Sequence, residues 1–507
     1  MFEHFPILSV MIWWPILGAV LIVLLGDNYS NYLIKAVALF ISIVELILCV
    51  PLYRAFNANT PAMQFVENHV WIQEYGVHYA LGVDGVSLAL LILTAFTTLI
   101  VVMAGCSLIK RNLGEYMAAF LVSQGMMAGV FCAMDAVLFY VFWEGMLVPI
   151  YLSIGIWGSR NRSYAAIKFF LYTFLGSVLM LVALIYLHTQ TDSFEIAKFY
   201  DLPLPLSIQV WLFLAFFAAF AVKVPMWPFH TWLPDAHTEA PAGGSVVLAA
   251  LMLKMGVYGF VRFSMPIAPL ASQQLDWLMI GLGLVAIVYI GILAISQSDM
   301  KKLIAYSSIA HMGFAVLGCF MVYEIIRVTG RYDEAYMSME GAVVQMVSHA
   351  FSTGALFLAV GIIQYRVGSR IIKDFGGVAK TMPILASFFM LFAMSNVGLP
   401  GTSGFVGEFM VILSAFQAHP LIALVAGLTL VIAAAYTLYM YKRVFFGPVV
   451  NKEVAALQDI GWFDSLTFGL LSAVVLILGF YPQWILNILH SSIGFLLTDS
   501  LKFNVAG

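Results

Sequence analysis

Side chains that can take up and release protons recur inside long apolar runs of this sequence. They are Glu144, Lys223, Lys254, His311, His349 and Glu408. A carboxylate, ammonium or imidazole in an apolar segment must be paired, solvated or neutralised, because burial disfavours the charged form. Groups of this kind, placed one after another, can pass a proton along a path. The residue types therefore mark these positions as candidate functional sites inside a membrane, and proton exchange is chemistry that such side chains can perform.

One segment combines such a side chain with a broken backbone. It opens with Lys223 at the end of an apolar run and continues, as VPMWPFHTWLPDAHTEAP, to Pro241. Each proline lacks an N–H and interrupts a helix. A bilayer tolerates irregular backbone only where it faces protein or a water-filled cavity. We therefore interpret this segment as the working part of a transport machine, with His230 as a further candidate relay.

Five of these side chains also have a plain structural explanation, which the residues leave open. Glu144 could form a structural ion pair between two helices, and Lys223 or Lys254 could extend to the membrane surface. Lone histidines in apolar helices, here His311 and His349, are often packing residues. Lys254 lies far from both ends of its predicted span, which argues against an extended side chain at that position.

The elements that must hold these residues are membrane-spanning helices. Hydrophobic residues make up 63% of the 507 residues, charged residues only 10%, and the mean hydropathy is +0.98. A helix needs about 20 apolar residues to cross a bilayer, and such runs recur along the whole chain. The sequence therefore predicts an all-α polytopic membrane protein with about 14 transmembrane helices. The first run lacks a basic leader and a cleavage pattern, so we expect it to remain as a helix.

Two of the predicted spans are broken, the seventh at residues 208–233 and the twelfth at 382–417. The break in the twelfth, SNVGLPGTSGFVG, directly precedes Glu408. Matching breaks predict two inverted five-helix repeats, in spans 4–8 and 9–13. The predicted units are N-terminal helices 1–3 (1–112), a first repeat (113–264), a second repeat (265–446), and a C-terminal loop with helix 14 (447–507), whose span we place at 466–490.

The loop between the second and third predicted spans mixes β-branched and aromatic residues around Gly76. This pattern predicts a short hairpin near residues 69–81, with an irregular loop as the alternative. Lys and Arg are concentrated in the loops of the opposite side, for example at Lys301, Lys302 and Arg370. Because positive charge is retained in the cytoplasm, we expect the N-terminus and the hairpin to lie outside.

Other classes of chemistry find little support in the residues. The four cysteines stand singly in apolar runs and are interpreted as packing residues, so no metal site is expected. The sequence has no glycine-rich dinucleotide-binding motif and no phosphate-binding loop, so no cofactor is expected in this chain. A net charge of −3 gives no reason to expect nucleic acid as a partner.

Several of these segments together resemble a known family. The segment that opens with Lys223 is similar to the signature of the antiporter-like subunits of respiratory complex I, a proton-translocating NADH-quinone oxidoreductase. GVDGVS from Gly82, KKLIAYSSIAHMG from Lys301 and GLPGTSGFVGE ending at Glu408 resemble further blocks of that family. The resemblance covers residues 80–445.

Three features resemble one of these paralogues more than its sister chains L and N. Glu408 stands where the sister chains carry lysine on the broken twelfth helix. The chain ends without the long lateral helix of chain L, and VPMWPFH stands where chain L usually carries KSAQ.

The resemblance implies a role for each candidate residue. Glu144 would pair with Lys223, Lys254 would lie centrally, and Glu408 would serve the exit half of a proton path. Further relays would be His311, His349 and His230. Quinone reduction in partner subunits, which would carry FMN, iron–sulfur clusters and quinone, would drive the protons. The resemblance also implies the bacterial inner membrane as location, with chains L and N and lipid as neighbours.

The residues leave other functions open. Within transport, the alternative is a subunit of a multi-chain Na⁺/H⁺ (Mrp-type) antiporter, and Glu408 is the residue that discriminates against it. A passive membrane anchor would need its buried ions only for assembly. A quinone-binding enzyme would need a redox motif, which the sequence lacks.

Overall fold

The computed structural model describes residues 5–26, 30–449 and 451–501. Long helices dominate these parts of the chain, because a helix satisfies its main-chain N–H and C=O groups internally, as a bilayer requires. Within these ranges, 12 helices are long and apolar enough to cross a membrane. Their bounds are Ile7–Leu25, Asn31–Ala55, Gly85–Leu108, Ala136–Trp157, Arg162–Thr191, Leu206–Lys223, Ala242–Ile267, Asp276–Ile295, Met300–Thr329, Tyr332–Val367, Pro420–Phe445 and Trp462–Phe480. The predicted polytopic all-α class is confirmed.

Further helices complete the bundle. Leu113–Cys132 occupies the fourth predicted span, and Trp232–Glu239 follows the break in the seventh. The twelfth predicted span consists of two apolar helices, Pro383–Val397 and Ser403–Ala418. The shorter helices are Gln73–Tyr75, Ile196–Tyr200, Pro269–Gln274, Ile372–Asp374, Val378–Thr381 and Lys452–Ala455.

Four helices form the centre of the bundle and carry three of the candidate residues, Lys254, His311 and His349. The apolar windows of Ala242–Ile267 and Tyr332–Val367 are 100% buried, and those of Gly85–Leu108 and Met300–Thr329 are 89% buried. Peripheral helices such as Pro420–Phe445, at 33%, direct most of their side chains outwards. Polar groups on the central helices therefore contact protein rather than lipid, which lowers the cost of keeping them at membrane depth.

A two-stranded antiparallel sheet occupies the loop after the second long helix. Its strands are Gln64–Ile72 and Val77–Val83. Gly76 makes the turn with a left-handed φ of 62°, which glycine adopts without a steric penalty. The sheet is tied to the first helix, because the Glu67 carboxylate accepts a hydrogen bond from the main-chain N–H of Leu8 at 2.8 Å.

The end of the chain differs from the predicted span at 466–490. The helix Trp462–Phe480 stops at Phe480, and a second helix, Gln483–Leu501, begins after Pro482. Proline lacks an N–H and disfavours helical geometry at the preceding residue. A continuous apolar run therefore concealed the break between these two helices.

Candidate functional site

The broken seventh span places Lys223 in the interior. The helix Leu206–Lys223 ends at this residue, and the next helix begins only at Trp232, after Pro225 and Pro228. Lys223 is completely buried, and its Nζ has no hydrogen-bond partner among the residues that the structure describes. The ammonium lies 4.9 Å from the centroid of the Trp143 ring. An aromatic face attracts a desolvated cation, so Trp143 provides part of the stabilisation that solvent would give.

Glu144 follows Trp143 at the end of the first half of its helix. The helix pieces Ala136–Gly145 and Leu147–Trp157 meet at Met146. The Glu144 carboxylate interacts electrostatically with Lys223. Within the described ranges, however, neither the buried Oε1 of Glu144 nor Nζ of Lys223 has a hydrogen-bond partner. The two residues predicted to pair are therefore neighbours that interact through their charges.

Asp135 holds the start of the helix that carries Glu144. Its Oδ1 accepts hydrogen bonds from the main-chain N–H groups of Val137, at 2.9 Å, and Leu138, at 3.1 Å. Its Oδ2 accepts a third from the N–H of His78 in the sheet, at 3.0 Å. Burial raises the pKa of the Asp135 carboxyl, although the three donors oppose this shift. The sheet and the Glu144 helix are thus joined through one carboxylate.

Lys254 lies in the middle of the fully buried helix Ala242–Ile267. Its Nζ donates hydrogen bonds to the main-chain carbonyl of Ala249 and, at 2.6 Å, to Nδ1 of His349. A π-helical turn, Leu248–Met252, immediately precedes it. Such turns are frequent at functional sites because they alter main-chain hydrogen bonding. The ammonium therefore has two partners despite its complete burial.

Lys254 begins a line of neighbouring polar side chains, here called the polar line, which continues through His349, His311 and Glu408. The rings of His349 and His311 lie 5.7 Å apart between centroids. His311 Nδ1 lies 3.0 Å from Glu408 Oε1, as a donor to the carboxylate. Gln345 Nε2 donates to the same oxygen at 3.1 Å. Three central helices and the helix Ser403–Ala418 thus approach one another at the predicted residues Lys254, His349, His311 and Glu408.

The break in the twelfth span makes room for Glu408. Gly398 and Gly401 adopt left-handed φ angles of 81° and 88° between the helices Pro383–Val397 and Ser403–Ala418. A Cβ atom on Gly398 would lie 2.8 Å from Glu408 Oε2. Glycine is therefore required at position 398 for its backbone conformation and for the approach of the carboxylate.

The histidines of the broken seventh span differ in their surroundings. His230 is largely buried near the end of the break, and its ring lies 6.4 Å from that of Tyr306. Its surroundings therefore differ from those of the line that Lys254 begins. His237 is completely buried and stacks on Phe357 at 4.4 Å between ring centroids. In the described part of the chain, neither ring nitrogen of His237 has a hydrogen-bond partner.

Sequence reasoning did not select His237 or Gln345 as site residues. His237 stands in the same proline-rich segment as His230, seven residues after it. Its position in that segment is the sequence signal that could have identified it. Gln345 carries no charge, so nothing in its sequence surroundings set it apart. Its role depends on the approach of two other helices.

A charged cluster fixes the second half of the broken seventh span. Arg370 donates to Glu239 Oε1 at 2.8 Å, to Asp299 Oδ2 at 2.6 Å, and to the carbonyl of Thr238 at 2.7 Å. Lys301 donates to the carbonyl of Ala240 at 2.8 Å. These cations satisfy carbonyl groups that the helix end leaves without partners.

Among the described residues, no group of three or more His, Cys, Asp or Glu side chains is arranged to hold a metal ion. The side chains of the polar line instead form hydrogen-bonded pairs with one another. Hydrogen bonds join Lys254 to His349 and His311 to Glu408, and the two histidine rings lie side by side between these pairs. The arrangement can hold and exchange protons between neighbouring groups.

Comparisons with known proteins agree with this architecture. The family described as "NADH:quinone oxidoreductase/Mrp antiporter, TM" matches residues 133–433. NADH-quinone oxidoreductase subunit M of Rhodobacter capsulatus is 44% identical over 97% of this chain and 96% of its own length. Subunit M of Rickettsia typhi is 41% identical over 97% of this chain and 99% of its own. The chain belongs to the NADH-quinone oxidoreductase subunit M family.

Solved structures support the same placement. A chain of respiratory complex I from Thermus thermophilus, solved with bound NADH, has a TM-score of 0.85 at 28% identity and covers 97% of this chain and 99% of that chain. A chain of the Mrp complex from a Dietzia species also has a TM-score of 0.85, at 21% identity, with 98% of both chains covered. The second likeness shows the fold alone. The predicted family is confirmed.

Proposed function

We propose that this chain translocates protons as a membrane-arm subunit of an NADH-quinone oxidoreductase. The observation that carries the proposal is the polar line Lys254, His349, His311 and Glu408, in which titratable groups of separate helices lie within hydrogen-bond or ring-contact distance. Family membership supports the same function. Glu144 and Lys223 form the second part of the axis, because the Lys223 ammonium lies 4.9 Å from the ring of Trp143, the residue next to Glu144 on another helix.

Each group has a proposed role. Lys223 holds a proton near Glu144, and weakening of their attraction releases it towards Lys254. Lys254 passes the proton to His349, since the two are joined by a hydrogen bond of 2.6 Å. His311 and Glu408 serve the exit half, while His230 is a further relay. Moving one charge against 100 mV costs about 2.3 kcal/mol, which a rearranged buried pair can supply.

The driving reaction belongs to partner subunits. Quinone reduction there, with FMN and iron–sulfur clusters as carriers, supplies the energy, and this chain carries out no redox step. We propose the antiporter-like chains L and N as neighbours, and lipid around the peripheral helices. The location is the bacterial cytoplasmic membrane with the N-terminus outside, since the loops of the other side carry more Lys and Arg.

The Mrp-type antiporter is the alternative function. The fold and the shared family description are compatible with it, but the Mrp chain is only 21% identical. The relatives at 44% and 41% identity are subunit M chains. Purification from native membranes in mild detergent separates the two. We expect the chain to co-migrate with a flavin- and iron–sulfur-containing NADH dehydrogenase. Co-migration with other antiporter chains, without flavin, would contradict the proposal.

Replacement of Lys254 tests the proton path itself. The Lys254→Met change removes the central proton carrier and keeps an unbranched, buried side chain, so the complex should assemble and oxidise NADH with a reduced number of protons moved per electron pair. The matched control is Lys380→Met, at an exposed position of the short helix Val378–Thr381. Unchanged proton stoichiometry in the assembled Lys254→Met complex would contradict the proposed axis.

A further inference from the structure

A second column of polar groups leads from Lys254 towards the sheet. Tyr258 and Arg262 follow Lys254 at four-residue intervals on the same fully buried helix, so all three lie near one face. At about 1.5 Å per residue, Arg262 lies roughly 12 Å along the axis from Lys254. This column is separate from the line that runs through His349.

The column ends in a dense cluster of hydrogen bonds. Arg262 Nη2 donates to Asp84 Oδ2 at 2.6 Å and to Ser87 Oγ at 3.3 Å, and Nε donates to the Tyr258 hydroxyl at 3.3 Å. Tyr258 in turn donates to the carbonyl of Phe131 at 3.2 Å. The side chains of both Arg262 and Asp84 are only 4% exposed.

Beyond this cluster lies a cavity on the side of the sheet. Its volume is about 380 Å³, and its lining includes Arg262, Tyr200, Glu195 and Met63. Arg262 thus faces the cavity on one side and Tyr258 on the other. Arg262 lines the cavity, whereas Tyr258 and Lys254, which precede it on the same helix, do not.

The chemistry of this layer opposes proton transfer. A relay group must accept a proton on one side and donate one on the other. Arginine has five donors and no acceptor, and it stays protonated in proteins. A fixed arginine can exclude protons from a pore. His349 and His311 differ, because each can accept as well as donate, and each has an Nε2 atom without a partner among the described residues.

We propose that Arg262, held by Asp84 and Tyr258, seals the path from Lys254 to the cavity on the side of the sheet. A proton on Lys254 then leaves through His349 and not directly into the cavity. The seal prevents a short circuit through the first half of the bundle. This inference rests on the proposed function, in which Lys254 carries protons.

Substitutions that differ in proton chemistry test the seal. The complete complex is reconstituted in liposomes that contain a pH-sensitive dye. NADH oxidation first acidifies the liposome interior. The complex is then inhibited, and the decay of the pH gradient measures proton leakage. The Arg262→His change introduces a group that both accepts and donates protons, and we expect severalfold faster leakage and loss of stimulation by uncoupler. The Arg262→Lys change keeps a cation beside the Asp84 carboxylate. Such a partner favours the protonated form of lysine, unlike the carbonyl and His349 that contact Lys254, so these vesicles should stay tight.

Two further variants make the result specific. Arg327→Gln removes an arginine that is 47% exposed and pairs with Asp276 and Glu324, so it controls for the loss of a surface arginine. The Asp84→Asn and Arg262→Gln double variant removes both charges together, which avoids an unpaired buried charge if a single change prevents assembly. Because it also removes the fixed cation, it should leak faster than the control.

The outcomes separate this inference from the proposed function. Combining Lys254→Met with Arg262→His should abolish the leakage, because the proton donor is gone. Assembled Arg262→His complexes as tight as the unsubstituted complex, or Arg262→Lys complexes as leaky as Arg262→His, would overturn the seal. If Lys254→Met alone leaves proton stoichiometry intact, the proposed function fails, whatever the leakage measurements show.

Discussion

Lys223 and Lys254 show two ways of keeping a lysine in the interior of a membrane protein. Lys254 donates to a main-chain carbonyl and to His349. Lys223 lies over the Trp143 ring and has no hydrogen-bond partner in the described ranges. Because unsatisfied buried cations are costly, Lys223 depends on its electrostatic interaction with Glu144 and on the ring. This difference makes Lys223 the less firmly held of the two lysines.

We expect proton translocation to require the ability of Glu408 to bind a proton, and not merely the shape of its side chain. The Glu408→Gln change keeps an oxygen that can accept from His311 and Gln345, but an amide does not take up a proton at neutral pH. We expect the complex to assemble and to translocate fewer protons per NADH oxidised, measured by acidification of the interior of inverted membrane vesicles. Glu453→Gln, on the short helix Lys452–Ala455, is the exposed control. Equal stoichiometry in both variants would argue against a role for Glu408.

Gly398 should be intolerant of a side chain. Alanine at this left-handed position costs about 1–2 kcal/mol, and its Cβ would lie 2.8 Å from Glu408 Oε2. The Gly398→Ala change should lower the thermal stability of the purified complex and displace the carboxylate, with less proton translocation. Gly427→Ala, on a peripheral helix, is the control, because a Cβ atom there would have no atom of the described residues within 4 Å outside its own helix backbone. A Gly398→Ala protein as stable and active as the control would contradict this account.

Two broken helices position the candidate residues. A continuous helix exposes no main-chain groups, whereas each break leaves N–H and C=O groups that need partners. Arg370 and Lys301 provide donors for the carbonyls at the end of the seventh span. Charges are thus placed where the backbone requires them, and the helix end that carries His237 is fixed against the start of the helix Met300–Thr329.

Removal of Arg370 should loosen the second half of the seventh span. The Arg370→Gln change breaks the ion pairs with Glu239 and Asp299, whose side chains are 6% and 9% exposed. Breaking a buried pair costs roughly 3–5 kcal/mol, and the partial exposure of Arg370 reduces this value. Thermal unfolding of the purified complex measures the loss. Lys198→Gln, in the surface pair with Glu195 whose side chains are 56% and 49% exposed, should cost no more than about 1 kcal/mol, and equal losses would show that the cluster has no special role.

The molecule as a whole is organised around four buried helices with the polar line between them. Peripheral helices separate this centre from lipid, and the sheet joins the first helix to the helix of Glu144 through Glu67 and Asp135. Such an arrangement lets charged groups stay at membrane depth, because they face protein. The division into two inverted repeats remains a prediction.

The orientation of the bundle can be measured with single cysteines. Glu74 lies at the exposed end of the sheet, and Lys380 lies at an exposed position on the basic side. If the N-terminus is outside, a membrane-impermeant thiol reagent added to intact cells should label the Glu74→Cys variant and not the Lys380→Cys variant. Inverted vesicles provide the control, since labelling should reverse. The opposite pattern would refute the proposed topology.

Much of this protein follows from local properties of its sequence. Apolar runs require lipid, clusters of proline and glycine indicate breaks in helices, and ionisable residues in those runs are conspicuous without a structure. For these reasons the membrane class, both breaks and the burial of Lys254, His349, His311 and Glu408 could be predicted, while their roles stay predictions. The end of the helix at Phe480 could not be placed, because the apolar run continues through Pro482.

Partnerships between helices depend on rotation and approach, which local sequence does not contain. Only the tertiary structure places Lys223 over Trp143, adds Gln345 to the Glu408 cluster, buries His237, and sets Arg262 against Asp84. Each of these contacts joins segments far apart in the chain. A side chain's type states which proton chemistry it can perform, and its neighbours in the folded bundle decide where that proton can go.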